Sequence, residues 1–141
     1  MKPVPVEGGS MKAIVMHSFG GREQLKCEEM PIPQPGDGEV LLRVKAAGVN
    51  PVDWKIREGK LSERLQHRFP LIPGWDAAAG IIYRYVFVRP EAEHLDRLAA
   101  LIDAGKLRVH LAATLPLEAA AKAHEMVETG HTRGKIVLTM E

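Results

Sequence analysis

Residues 40–59 read VLLRVKAAGVNPVDWKIREG, and this stretch decides how the first half of the chain is interpreted. The run at residues 40–46 is predicted to form a buried strand because its apolar residues are Val40, Leu41, Leu42, Val44 and Ala46. The segment Pro51–Gly59 is predicted to form a short helix. Asn50 is a suitable N-cap, and the proline and glycine at the two ends suit the first helical position and the position after the helix.

The residues before this stretch are typical of strands and extended connectors. Ala13–Met16 is a short apolar run that ends before Gly20-Gly21, and the prolines at positions 31, 33 and 35 exclude a helix. A Pro-Gly-Asp-Gly turn follows at residues 35–38. Together these signals predict a small, irregular β domain. Residues 1–10, MKPVPVEGGS, have the composition of a linker or extension.

The last third of the chain has helical periodicity. Glu91–Ala104 is predicted to be a helix with an apolar face, and Leu117–Thr129 is predicted to be a second helix. Each is followed by glycine. A final strand is expected at Lys135–Met140, and an apolar stretch at residues 77–88 is interpreted as one or two strands. We therefore expect an α+β fold, in which two C-terminal helices pack on a reduced β core and the last strand returns to the sheet.

Composition excludes several classes of function. The 141 residues carry a formal net charge of +1 from 19 basic and 18 acidic side chains, so neither nucleic acid nor an anionic membrane is expected as a partner. A single thiol, Cys27, cannot form an internal disulfide or a multi-cysteine zinc site. No apolar run has the roughly 20 residues that a membrane helix needs. We predict a cytoplasmic protein.

Four segments in the same order resemble the medium-chain dehydrogenase/reductase superfamily, in particular its zinc-independent quinone and enone reductases. They are EEMPIPQPGDGEVLLRVKAAGVNPVDWKIREG, FPLIPGWDAAAG, YRYVFVRPEAEHLDRLAALIDAGKL and LPLEAAAKAHEMVETGHTRGKIVL. The resemblance implies a GroES-like catalytic domain that a Rossmann domain interrupts. Residues 11–82 would be the N-terminal part of that catalytic domain, and residues 83–141 would be the segment that returns to it.

The Rossmann domain and part of the catalytic core are expected to be missing. A dinucleotide-binding fingerprint needs glycines between a strand and a helix, so that backbone amides can bind a pyrophosphate. The Gly36-Asp37-Gly38 sequence instead precedes a predicted strand and lacks the third glycine. The resemblance implies NADPH as the cofactor of the parent family, with none bound by this chain alone.

Zinc is not expected either. In the zinc-dependent relatives a cysteine and a histidine occupy the positions of Asn50 and Trp75, so both ligands are replaced here. An amide oxygen is a poor zinc ligand, and an indole is not a ligand at all.

Asn50 is the candidate catalytic residue. The resemblance places it beside the nicotinamide and the substrate, where its amide could orient a carbonyl group. The alternative is that Asn50 only caps the helix. Five further residues are candidates for the substrate or cofactor cleft: Asp53, Trp54, Lys55, Trp75 and Lys135. Their alternatives are a solvated pair for Asp53 and Lys55, core packing for the tryptophans, and a solvent-exposed lysine at a strand start for Lys135.

Two hypotheses about function follow, and the sequence leaves both open. The first is a domain-deleted NADPH-dependent reductase of a quinone or an α,β-unsaturated carbonyl, which is not catalytically competent alone. The second is a non-catalytic module that binds or oligomerises, with self-association through exposed strand edges. An engineered minimal catalytic domain is a further alternative.

Overall fold

Five strands and three α-helices form the fold within residues 9–37, 39, 41–74 and 92–140, which are the residues that this computed structural model describes. The strands are β1 (Ser10–Val15), β2 (Lys26–Pro31), β3 (Ala46–Val49), β4 (Leu111–Pro116) and β5 (Lys135–Thr139). The helices are α1 (Pro51–Arg57), α2 (Ala92–Asp103) and α3 (Ala120–Glu128). The α+β class predicted from the sequence is confirmed.

The strands form two small sheets. β1 and β2 are an antiparallel pair whose register runs from Ser10 opposite Pro31 to Val15 opposite Lys26. The second sheet has the order β3-β5-β4, with β5 antiparallel to β3 and parallel to β4. The C-terminal strand therefore returns to the sheet, as the sequence predicted, and it lies between two earlier strands.

The core joins the N-terminal and C-terminal halves of the chain. Ile14 from β1 and Val49 from β3 pack with residues of the second half, and all of them are less than 10% exposed. The C-terminal members of this cluster are Leu117, Ala120, Ala123, Ile136 and Leu138. Burial of these apolar groups in one cluster fixes β5 and α3 against the N-terminal segment.

Helix α1 begins and ends where its sequence predicts. Asn50 is the N-cap, with an extended backbone, and Pro51 is the first helical residue. Gly59 follows the helix with φ +75°, the left-handed conformation that favours glycine after a helix end. A Cβ at Gly59 would also lie 3.1 Å from the Phe19 ring, so glycine permits this close approach.

The buried strand predicted at Val40–Ala46 is wrong in position. Residues 41–44 have no regular structure, and Leu42 is 60% exposed. The strand that forms is β3, and it starts only at Ala46 because its partner β5 pairs with Ala46–Val49. A largely apolar run without a neighbouring strand has no ladder to join, so its propensity alone does not make it a strand.

Helix α2 forms as predicted, but the expectation that it packs on the core is wrong. Its apolar face is exposed, with Leu95 at 63% and Leu98 and Ile102 at 47%. The strand expected at residues 77–88 and the candidate Trp75 lie outside the described residues.

Candidate functional site

The first turn of α1 carries the candidate site. The backbone N–H of Asn50 donates to the Asp53 carboxylate over 2.7 Å, and the N–H of Asp53 donates to the Asn50 carbonyl over 3.0 Å. Asp53 is 3% exposed. This reciprocal arrangement satisfies N–H groups that a helix start leaves without an intrahelical partner, and it fixes the backbone of Asn50.

The side chain of Asn50 makes a second, tertiary contact. The Lys135 ammonium donates a short hydrogen bond to Asn50 Oδ1. Asn50 lies between the end of β3 and the start of α1, whereas Lys135 is the first residue of β5, 85 positions later in the chain. The antiparallel pairing of β3 with β5 places Val49 opposite Ile136, which brings the two candidate residues together. Both side chains are half-buried.

This contact changes what the amide can do chemically. A cation that bonds the amide oxygen draws electron density from the group and makes its N–H donors stronger. An amide N–H is the kind of donor that orients and polarises a carbonyl oxygen. Asn50 therefore does more than cap the helix, because its side-chain oxygen also accepts a hydrogen bond from Lys135.

The remaining candidates on α1 lie on its outer side. Trp54 is half-buried, and the Lys60 ammonium lies 4.4 Å from its ring centroid, with Lys55 at 5.7 Å. Both lysines can make cation–π contacts with the indole. Lys60 also bonds Glu58 over 2.8 Å and holds the pKa of that carboxyl below its ordinary value. Lys55 is exposed, which agrees with a solvated surface residue.

Sequence reasoning missed Arg57, which is 1% exposed. Its guanidinium donates to the carboxylates of Glu128 (2.7 Å) and Glu58 (2.8 Å) and to the carbonyl of Gly20 (3.1 Å). Positions 50, 53 and 57 have the spacing of one helix face. Three polar residues at this spacing were a signal that α1 turns a polar face inward.

His124 of α3 is part of the same buried region. It is 4% exposed, and burial lowers the pKa of its imidazole to about 4, with a further contribution from the Arg57 charge. Its Nδ1 atom is buried and has no hydrogen-bond partner among the described residues. His124 is therefore a neutral core histidine.

A shallow cavity of about 340 Å³ lies apart from these residues. It is lined by Phe19, Ser62, Leu65, Gln66, His67 and Arg68. The Phe19 ring packs edge-on against His67 (5.6 Å between centroids) and Phe69 (5.0 Å). None of the candidate site residues that the structure describes lines this cavity.

Comparison with known proteins identifies the family. The family model described as zinc-binding dehydrogenase matches residues 57–138, which is more than half of the chain. The chain belongs to the zinc-binding dehydrogenase family. The match runs through the junction between residues 82 and 83 that was predicted to separate the two parts of the catalytic domain.

Several curated relatives of this chain are quinone oxidoreductases by name. A chloroplastic quinone-oxidoreductase homolog of Spinacia oleracea is 41% identical over 78 residues, which cover 51% of this chain and 24% of that protein. The quinone oxidoreductase of Lama guanicoe is 45% identical over 69 residues, covering 48% of this chain and 20% of that protein. The match therefore spans about a quarter or less of the length of these relatives. The resemblance to medium-chain dehydrogenases/reductases is confirmed.

A solved structure has the same fold. The quinone oxidoreductase from Coxiella burnetii superposes with a TM-score of 0.72, and the alignment covers 94% of this chain and 100% of that one. The sequence identity is 16%, so this likeness shows the fold of the family member and nothing finer.

The described residues do not fit a zinc ion, although the family description names one. No group of three or more His, Cys, Asp or Glu side chains among them is arranged to bind a metal. At Asn50, the atom that would have to bind a zinc ion is the amide Oδ1, which already accepts a hydrogen bond from the Lys135 ammonium. The positive charge of Lys135, which is hydrogen-bonded to this oxygen, would repel a zinc ion bound there.

The described residues do not fit a dinucleotide either. β4 leads into α3 through the 3₁₀ turn Leu117–Ala119, and this strand-to-helix passage carries Pro116 and Glu118 rather than glycine. The Glu118 carboxylate bonds the Lys12 ammonium over 3.0 Å. A carboxylate at this helix start would repel a pyrophosphate, which needs exposed backbone N–H groups.

In the described part of the chain, no helix is long and apolar enough to cross a membrane.

Proposed function

We propose that this chain supplies the acceptor-orienting part of a reductase whose parent reaction is hydride transfer from NADPH to a quinone or an α,β-unsaturated carbonyl. The observation that carries the proposal is the hydrogen bond from Lys135 to Asn50 Oδ1. Asn50 and Lys135 polarise and orient the acceptor carbonyl without a metal. The family match and the quinone oxidoreductase names of the relatives support this substrate class.

The domain boundaries form part of the proposal. Residues 1–10 are a linker or extension, residues 11–82 are the first part of a catalytic domain, and residues 83–141 are the segment that returns to it. Support comes from the pairing of β3 with β5 and from the core shared by Ile14, Val49 and Ile136. The resemblance places the substrate cleft near Asn50, and we keep Asp53, Trp54, Lys55 and Trp75 as its proposed neighbours.

The chain is not catalytically competent alone in this proposal, because the described residues do not fit the cofactor. NADPH added to the purified chain should show no binding in the micromolar range by fluorescence or calorimetry. Micromolar affinity would contradict this part of the proposal.

Acceptor binding is the direct test of the site. The substitution Asn50→Asp keeps an N-cap but removes the amide N–H donors. Titration of 1,4-naphthoquinone into ¹⁵N-labelled protein should displace the Asn50 side-chain amide signal in the wild type, and Asn50→Asp should weaken binding about tenfold, a loss expected for one hydrogen bond. Gln24→Glu makes the same amide-to-acid change away from the site and should bind as the wild type does. Equal affinity of all three proteins would overturn the role of Asn50.

Self-association is the second candidate function, and the exposed apolar face of α2 favours it. Leu95 and Leu98 are exposed on a helix whose first turns carry Glu93 and Asp96 and which is followed by Lys106 and Arg108. Two copies that pair antiparallel along α2 would bring Glu93 and Asp96 of one copy towards Lys106 and Arg108 of the other while burying the leucines. The occupant proposed for this face is a second copy of the chain. The outer strands of the three-stranded sheet, β3 and β4, are the alternative place for two copies to pair.

A cytoplasmic location is kept as a proposal. Its support is the single thiol, Cys27, which is exposed on β2 and forms no disulfide. Several relatives are chloroplastic by name, so fractionation of the source cells is the test.

A further inference from the structure

The buried side chain of Arg57 makes hydrogen bonds to three segments of the protein. It is one of the largest fully buried side chains, and its partners belong to the loop after β1, to the end of α1 and to the end of α3. The Nη1–Oε1 distance to Glu128 is 2.7 Å, and Glu128 is 24% exposed. The backbone of Gly20 is held a second time, because its N–H donates to the carbonyl of Arg57 over 2.9 Å.

Such a pair is poorly explained by stability alone. Removing a guanidinium and a carboxylate from water costs several kcal/mol per ion, so a buried ion pair is often no more stabilising than apolar residues of the same volume. What the pair does supply is a fixed orientation, because a guanidinium offers its donors in a rigid planar fork. The fixed geometry of these donors therefore suits Arg57 to orienting a neighbouring element of the fold.

The orientation that Arg57 fixes is that of α1. This helix has seven residues, so its two ends are about 10 Å apart and move as one body. Its start carries Asn50, which bonds Lys135 of β5, and its end carries Arg57, which bonds Glu128 of α3. Helix α3 and strand β5 share the core residues Ala123 and Ile136.

We propose that Arg57 is a positioning residue: through Glu128 it fixes the end of α1 to α3 and thereby holds Asn50 against Lys135. The meaning of this arrangement for acceptor binding rests on the proposed function, whereas the coupling between the two ends of α1 does not. A change at either Arg57 or Glu128 displaces Asn50, although neither residue touches it.

The molecule contains a matched control. Arg22 and Glu125 also join the N-terminal half to α3, with 3.3 Å between Nη1 and Oε1, but they are 42% and 45% exposed. An exposed pair of this kind contributes little to structure. Arg22→Lys and Glu125→Gln therefore repeat the chemistry of Arg57→Lys and Glu128→Gln without changing the Arg57–Glu128 pair, and Glu125 lies on the same helix as Glu128.

The test follows the side-chain amide signal of Asn50 in ¹⁵N-labelled protein at 10 °C. The signal is assigned by its loss in Asn50→Asp, and Lys135→Met defines how far it moves when the lysine contact is removed. Arg57→Lys and Glu128→Gln should move the signal in the same direction as Lys135→Met and raise the dissociation constant of 1,4-naphthoquinone about tenfold. Arg22→Lys and Glu125→Gln should do neither. Destabilisation alone would lower the melting temperature without moving the signal of the folded form.

The outcomes separate the two proposals. If Arg57→Lys does not fold, Glu128→Gln decides, since an amide keeps the shape of the carboxylate but removes the charge that holds the guanidinium. An unmoved Asn50 signal in folded Glu128→Gln overturns the positioning role. A wild-type protein that does not bind the quinone contradicts the proposed function, while the Asn50 signal still decides the coupling.

Discussion

Helices α2 and α3 differ in what surrounds them. α3 places Ala120, Ala123 and His124 in the core, each less than 5% exposed. α2 leaves Leu95 63% exposed and Leu98 47% exposed. The two helices have similar lengths and both have apolar residues at helical spacing.

The difference shows that amphipathic spacing identifies a helix but not its partner. α3 follows β4 directly and precedes β5, and these strands pair in parallel. A helix that connects two parallel strands lies across their sheet, so the topology itself supplies the partner. No such constraint follows from the position of α2, whose apolar face finds no cover among the described residues.

The largest predicted difference in stability between the surroundings of α3 and α2 comes from truncating a core side chain beneath α3. Ile136 is 1% exposed and packs in the cluster beneath α3. Ile136→Ala should lower the free energy of unfolding by about 2–5 kcal/mol, because it removes buried methyl groups and leaves a cavity. The matched change on α2, Ile102→Ala, should cost under about 0.5 kcal/mol. Urea unfolding followed by circular dichroism measures both, and equal losses would contradict the contrast between the helices.

A second effect comes from protonation of His124. Burial lowers the pKa of His124 to about 4 from an ordinary 6.5, so the unfolded chain binds the proton first as the pH falls. Above pH 6.5 both states are neutral and the histidine has no pH-dependent effect. Between pH 6.5 and 4 the free energy of unfolding should decrease by about 3 kcal/mol in total. The charged groups facing the imidazole are Arg57, which opposes its protonation, and Glu128, which favours it.

The control for this pH dependence is His124→Leu. Urea unfolding of the wild type and of this variant should show stability curves that diverge below pH 6.5 and run parallel above it. Carboxylates whose pKa is lowered, such as Glu58 and Glu118, titrate equally in both proteins and cancel in the difference. Curves that stay parallel down to pH 4 would show that His124 is not held neutral by the fold.

A smaller effect compares two glycines. Gly134, just before β5, has φ +102°, and a Cβ there would lie 2.5 Å from the carbonyl oxygen of His110. Gly105, just after α2, has φ +67° and nothing within 4 Å of a Cβ. Gly134→Ala should therefore destabilise by about 2 kcal/mol from backbone strain plus the clash, and Gly105→Ala by about 1 kcal/mol from strain alone. Thermal unfolding of both variants checks the order, and a larger loss at Gly105 would reverse it.

The sequence predicted those parts of the fold that depend on local chemistry. The capping residues of α1, the glycines after the helices and the strand at the C-terminus are all where residue type and spacing placed them. It failed for residues 41–44 and for the packing of α2, because both depend on whether a distant segment supplies a partner. A strand needs a neighbouring strand and an apolar helix face needs a packing partner, and the local sequence specifies neither.

The candidate site divides in the same way. Asn50 was chosen as a candidate through the family resemblance and its capping role, and Lys135 through its place at the returning strand. Their mutual hydrogen bond depends on the register between β3 and β5, which no local pattern specifies. Arg57 was missed because a charged residue in a surface-like helix is ordinarily solvated.

The smallest effect on stability, and the sharpest test of α2, comes from charging its apolar face. Leu95→Glu with Leu98→Glu should change the free energy of unfolding by under about 0.5 kcal/mol, since both side chains already face solvent. If two copies pair along α2, sedimentation should show concentration-dependent association in the wild type and a monomer in the double variant. Arg97→Ala is the control, because this residue is on the same helix, is 71% exposed and bonds only Glu93 in the described structure. Association that survives in the double variant would move the contact to the strand edges, and a wild-type monomer would remove self-association as a function of this face.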